Sequence, residues 1–92
     1  MTTQSKREQF AWDAIHKQLD IAGHPHNVIE NDQWWFSNNT MTEAQCEEWK
    51  QWFLAECKRR FRWNKKISER EFQWFNLQYG LKIQETQTHD EL

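Results

Sequence analysis

Residues 42–63 read TEAQCEEWKQWFLAECKRRFRW and decide the fold. An unbroken helical pattern of about 20 residues spans roughly 30 Å. At about 100° per residue, Cys46, Trp49, Phe53 and Cys57 form one stripe, flanked by Trp52 and Trp63 on one side and by Leu54 and Phe61 on the other. Glu47, Gln51, Lys58 and Arg62 share the narrow polar face. An apolar arc this wide needs partners on two sides. Two capping signals precede the helix: Thr42 with Gln45, and Thr40 with Glu43, with Met41 placed to staple onto Cys46.

Upstream, Ser5 and Glu8 make a capping box that opens a first helix over about residues 6–22. Ala11, Trp12, Ile15, Leu19 and Ala22 line its expected inner face, with Phe10, Ala14 and Ile21 extending it; Asp13, His16, Lys17 and Asp20 form the wet side. Gly23 suits the residue after the helix and Pro25 prevents continuation. Downstream, Asn64-Lys65-Lys66 reads as the end of the long helix. A third helix is expected from the box Ser68–Glu71 to about Tyr79, with Ile67 stapled onto Phe72, an inner face of Phe72, Phe75 and Tyr79, and Gly80 as the stop. Trp74 and Leu77 point away from that face. Leu81-Lys82-Ile83 alternates and is expected as one strand or an extended arm.

Between the first two helices, residues 23–41 lack helical period. Val28-Ile29 and Trp34-Trp35-Phe36 flank the turn residues Asn31-Asp32, so residues 28–36 are expected as a short β-hairpin or a structured loop. The whole is therefore expected to be a mainly α, three-helix small domain over residues 1–83, with a short irregular or β-hairpin element between helices 1 and 2. Residues 84–92, QETQTHDEL, are expected as a disordered acidic tail. The terminal His89-Asp90-Glu91-Leu92 matches an ER-retention address. No apolar signal-peptide core precedes Phe10, so we read the match as coincidence and expect a cytoplasmic protein.

A net charge of −2 argues against a globally basic nucleic-acid binder. Seven Trp and six Phe stand in a chain with a mean hydropathy of −1.13, so the aromatics either supply the core or form a binding surface. Cys46 and Cys57 are eleven residues apart on one helix, roughly 16 Å by helical rise, and cannot pair with each other. Both are expected as buried structural thiols. His24-Pro25-His26 reads as a solvated loop pair; no C-x-x-C or H-x-x-x-H spacing suggests a metal, and two glycines make no phosphate loop. No catalytic, cofactor or metal residue is expected.

Two clusters remain. Lys58, Arg59, Arg60, Arg62, Lys65 and Lys66 put six cations into nine residues beside Phe61 and Trp63, the mixture that single-stranded nucleic acid recruits. The acid-first, base-last charge order of the same helix also complements its dipole. Trp34, Trp35 and Phe36, together with Trp74, are aromatics that the core pattern does not claim; in an extended loop Trp34 and Trp35 cannot both point inward. They are the candidate partner-binding residues, for another protein or for a second copy in a homodimer. The alternative site is nucleic-acid binding by Lys58, Arg59, Arg62, Trp63, Lys65 and Lys66; no membrane partner is expected.

The ending Phe72-Gln73-Trp74-Phe75-Asn76-Leu77-Gln78-Tyr79-Gly80-Leu81-Lys82-Ile83, in a short Trp-rich chain, resembles small uncharacterised proteins of tailed bacteriophages. The likeness covers the last half of the chain and carries no catalytic motif. It implies a non-catalytic accessory protein that binds, and inhibits, a host factor in the host cytoplasm. Besides the nucleic-acid alternative, a homo-oligomeric assembly protein would use the same aromatics.

Overall fold

The computed structural model describes residues 5–25 and 39–84. Among the described residues three helices carry the fold: α1 (Lys6–Ala22), α2 (Glu43–Phe61) and α3 (Lys65–Tyr79). A two-residue strand β1 (Thr40–Met41) precedes α2, and β2 (Lys82–Ile83) follows α3. The two pair in parallel, Thr40 against Lys82 and Met41 against Ile83, so the short ladder ties the start of α2 to the end of α3. The hairpin or loop expected at residues 28–36 lies outside the described residues, as does the tail beyond residue 84.

Both N-terminal capping boxes form. The Ser5 hydroxyl accepts from the Glu8 N–H while the Glu8 carboxylate accepts from the Ser5 N–H. Thr42 and Gln45 do the same for α2, and the competing Thr40–Glu43 box gives way because Thr40 is spent in β1. At the far end of α1, Gly23 adopts φ 82°, and the His24 and Gly23 amides donate back to the carbonyls of Leu19 and Asp20. This 6→1, 5→2 pair closes the helix with a left-handed residue, which glycine tolerates without a Cβ penalty.

Helix α3 begins earlier than the sequence pattern predicts. Asn64 is its N-cap, its side-chain oxygen accepting from the Ile67 amide at 2.9 Å. Ser68, expected to open the helix, sits one turn inside it, buried, with its hydroxyl donating to the Asn64 carbonyl. Ile67, expected as a staple, is 41% exposed. Asn64 wins because Arg62 turns left-handed at φ 59° and ends α2, leaving only Trp63 between that cap and the new one. Gly80 also plays a different part from the expected left-handed stop. Its backbone is extended, and a Cβ there would collide with the carbonyl and side chain of Asn76, so glycine is required for close approach.

Helix α2 packs against both α1 and α3, which meet each other far less, as its wide apolar arc requires. The core is Phe10, Ala14, Ile15 and Leu19 from α1, Trp49, Phe53 and Cys57 from α2, Phe72 and Phe75 from α3, with Met41 and Leu81 from the strands. Trp49 is fully buried, with Phe72 edge-on at 5.1 Å and Phe75 at 6.0 Å. Its indole N–H donates to the Ala14 carbonyl at 2.9 Å, pinning α1 to α2.

The inner face of α1 is rotated from the expected one: Trp12 is 44% exposed, whereas Gln18 is completely buried. The reason is the chain leaving α3. The Gln18 amide donates to the Tyr79 carbonyl at 3.1 Å, and its oxygen accepts from the Leu81 N–H at 2.7 Å. One side chain thus serves a part-buried carbonyl and a buried amide where α3 turns into β2. Replacing Gln18 by Leu fills the volume and leaves both groups unpaired. We expect Gln18→Leu to lose about 3 kcal/mol in denaturant unfolding, at one to a few kcal/mol per orphaned group. The Leu81 amide should then exchange with solvent much faster than in the parent.

Candidate contact surface

Of the four partner-binding residues expected from sequence, Trp34, Trp35 and Phe36 lie outside the described residues, and Trp74 is the one that can be placed. It is 53% exposed on α3, pointing away from Phe72 and Phe75, which are buried. Leu77, three residues on, is 84% exposed. Tyr79, expected on the inner face, is instead 38% exposed and spans the two sides of the helix, its ring 5.0 Å from Phe75 and edge-on to Trp74 at 6.4 Å. Because the Tyr79 carbonyl is held by Gln18, the last turn of α3 is fixed while its aromatic edge stays open.

Beside Trp74, α1 and α3 leave a cleft of about 220 Å³. Phe10, Phe53 and Phe75 form its floor, Ala11, Trp74 and Tyr79 its walls, and Trp63 one end. Arg7 closes that end: its guanidinium lies 5.2 Å from the Trp63 ring and 2.9 Å from the Glu71 carboxylate. An apolar side chain of a partner suits such a slot, with the Arg7–Glu71 pair offering polar contacts at its mouth. Trp12, which sequence reasoning assigned to the core, is a further exposed aromatic on α1, its ring 6.4 Å from that of His16. No local signal reassigns it: the burial of Gln18, set by Tyr79 and Leu81 more than sixty residues away, turns α1 so that Ala14, rather than Ala11, lies deepest.

The alternative cluster divides. Glu56 accepts from both Arg59 and Arg60, and Arg60 also bridges to Asp13 at 2.9 Å and lies 5.2 Å from the centre of the Phe10 ring. Arg60 is therefore a tie between α2 and α1, and Arg59 is neutralised by its neighbour. Lys58, Arg62, Lys65 and Lys66 are exposed and make no ion pair with another described residue. Trp63 is half-buried, stacked on Phe61 at 4.5 Å. With Leu54, Ala55, Lys58, Asn64 and Lys65 it edges a second, larger cleft of about 560 Å³ between α2 and α3.

Neither thiol is activated. Burial pushes Cys57 up to about 11, only partly offset by a hydrogen bond with Ser68, and burial together with Glu47 raises Cys46. Both cysteines are free, as expected, though Cys46 is half-buried rather than fully enclosed. His24, expected to be solvated, is half-buried with Nε2 2.7 Å from the Thr40 carbonyl; His26 lies outside the described residues. Among the described residues no group of three or more His, Cys, Asp or Glu is arranged to hold a metal ion, and no helix is long and apolar enough to cross a membrane. Compared with protein-family models, curated proteins and solved structures, the chain matches none of them.

The ion-pair tie has a pH signature. Hydrogen bonds from Arg59, then from Arg60, hold the Glu56 carboxyl below its ordinary value of 4.5 against an opposing effect of burial. A depressed carboxylate stabilises the fold fully above the unfolded value and loses that contribution as pH falls through the folded one. Glu56→Gln should therefore cost about 1 kcal/mol at neutral pH, a value discounted for solvent screening on the Arg59 side. In parallel thermal melts the gap between variant and parent should close as pH is lowered below about 4.

Proposed function

We propose that the protein is a non-catalytic binding module that engages another protein through Trp74, Leu77 and Tyr79 and the cleft beside them. One observation carries this reading. Trp74 and Leu77 are more than half exposed on a helix whose other face is firmly docked in the core. A large aromatic that the fold does not need, held on a rigid helix, is the kind of residue that dominates protein interfaces. The raised thiols support a role without nucleophilic chemistry: Cys57, near 11, is almost wholly protonated at neutral pH, and Cys46 is raised by burial. That the bound protein is a host factor, and the chain a phage-encoded inhibitor in the host cytoplasm, rests on the resemblance of residues 72–83 alone.

Paired substitutions test the reading. Trp74→Ala should leave the melting temperature within a few degrees of the parent and abolish capture of a protein from nuclease-treated cell extract. Trp49→Ala should lose about 3–5 kcal/mol of stability, as truncation of a fully buried aromatic does. Unchanged capture by the folded Trp74→Ala variant would sink the proposal.

A second reading has its own observation in favour. Lys58, Trp63 and Lys65 line one open cleft, with Arg62 and Lys66 exposed nearby, so cations without an ion pair among the described residues stand beside an aromatic as single-stranded nucleic acid requires. Arg62 offers a clean probe, because its left-handed backbone is one that glycine adopts more readily. Arg62→Gly should raise stability by about 1 kcal/mol while deleting a cation. If the patch binds nucleic acid, affinity for a short single-stranded oligonucleotide should drop in that variant, and the dependence on salt should become shallower.

A further inference from the structure

The exposed side of α3 has a regular spacing. Ile67, Arg70, Trp74 and Leu77 follow one another at intervals of three, four and three residues, the a and d positions of a heptad seam. All four are exposed, and they lie opposite the face that carries Ser68, Phe72 and Phe75 into the core. Arg70, in the middle of this stripe, makes no ion pair with another described residue. Helix α3 thus has two helix-packing faces, and among the described residues only one is used.

We propose that this face pairs with α3 of a second copy of the chain, in an antiparallel, two-fold symmetric arrangement. The choice of occupant follows from charge. In a parallel pair, d meets d, and Arg70 would face the partner's Arg70 across a dehydrated seam, which like charges oppose. In an antiparallel pair, a meets d. A two-fold axis at the level of Phe72 then sets Ile67 against the partner's Leu77 and Trp74 against the partner's Arg70, with both contacts repeated by symmetry. The guanidinium so placed over an indole gains a cation–π contact twice, and the two aliphatic pairs close the ends. A face on which each residue meets its complement in its own copy is the requirement for an isologous interface. Four side chains per copy from a 15-residue helix put the interface at the small end of specific contacts, so the pairing is a reversible equilibrium.

This inference rests on the reading above that the Trp74 face is a contact surface, and it names the first partner of that face. Sedimentation velocity on the full chain, over roughly 5 to 500 µM, tests it. The parent should pass from monomer to dimer across that range. Ile67→Glu and Leu77→Lys, both at exposed positions, should keep the parent's circular dichroism and melting temperature and weaken self-association by about tenfold or more. An equimolar mixture of the two variants should dimerise again, since only antiparallel pairing sets position 67 of one chain against position 77 of the other. That heterodimer keeps one original Ile67–Leu77 contact and gains one opposite-charge pair. A parent that stays monomeric throughout, a dimer that survives both single variants, or a mixture that fails to recover would each overturn the proposal. The failures separate cleanly. A monomeric parent whose capture of another protein still depends on Trp74 removes self-pairing and leaves the binding module standing; a monomeric parent whose capture is indifferent to Trp74 removes both.

Discussion

The indole of Trp49 donates its N–H to the Ala14 carbonyl while its ring lies edge-on to Phe72 and beside Phe75, so one side chain joins α1, α2 and α3. Everything else in the fold leans on that arrangement. Helices α1 and α3 make little contact with each other, and each is held chiefly by what it packs against on α2. In a chain with few aliphatic residues, an aromatic cluster of Phe10, Trp49, Phe53, Phe72 and Phe75 has to supply the buried area that Leu, Ile and Val usually provide. A fully buried indole also has to satisfy its N–H, and the small side chain of Ala14 lets Trp49 come close enough to do so. The bond is thus as much a positional constraint on α1 as a stabilising one.

Around that centre, polar residues finish what the aromatics leave open. Gln18 replaces missing backbone partners where α3 turns into β2, and Arg60 reaches from α2 to Asp13 on α1 over the face of Phe10. Each holds a seam that would otherwise need a larger hydrophobic contact. Both are polar residues doing structural work, and both change how the surface is read. Once Arg60 and its neighbour Arg59 are tied to Glu56, the basic run at the end of α2 is smaller than its sequence suggests. Once Gln18 turns inward, Trp12 turns out.

The consequence for function lies in α3. Its inner face needs only Ser68, Phe72 and Phe75 to complete the core, which leaves Ile67, Trp74 and Leu77 unclaimed on the outside. Exposing that much apolar surface is unfavourable for a solitary chain and useful for one that binds. The aromatic cleft toward α1 and the heptad-spaced stripe facing solvent are two edges of the same helix, and Trp74 belongs to both.

The sequence by itself determined the three helices, because capping residues, stop signals and hydrophobic period are local and agree with one another. Ser5 with Glu8, Thr42 with Gln45, and Gly23 each act within a few residues, so tertiary structure had nothing to overrule. It also marked Trp74 and Leu77 as surplus to the core, since their angular position on α3 follows from spacing alone. Only the tertiary structure decided where α3 begins: Asn64 and Ser68 are both competent caps, and the left-handed turn at Arg62 selected the first. Only it decided which side of α1 faces inward, because the groups that bury Gln18, the Tyr79 carbonyl and the Leu81 amide, are more than sixty residues away. The same holds for the parallel pairing of residues 40–41 with 82–83 and for the glycine at position 80, where the crowding atoms belong to Asn76 and no left-handed backbone is involved. Local hydrogen bonds can be read along a chain; partners brought together by packing cannot, because periodicity records that a face is buried and not what buries it.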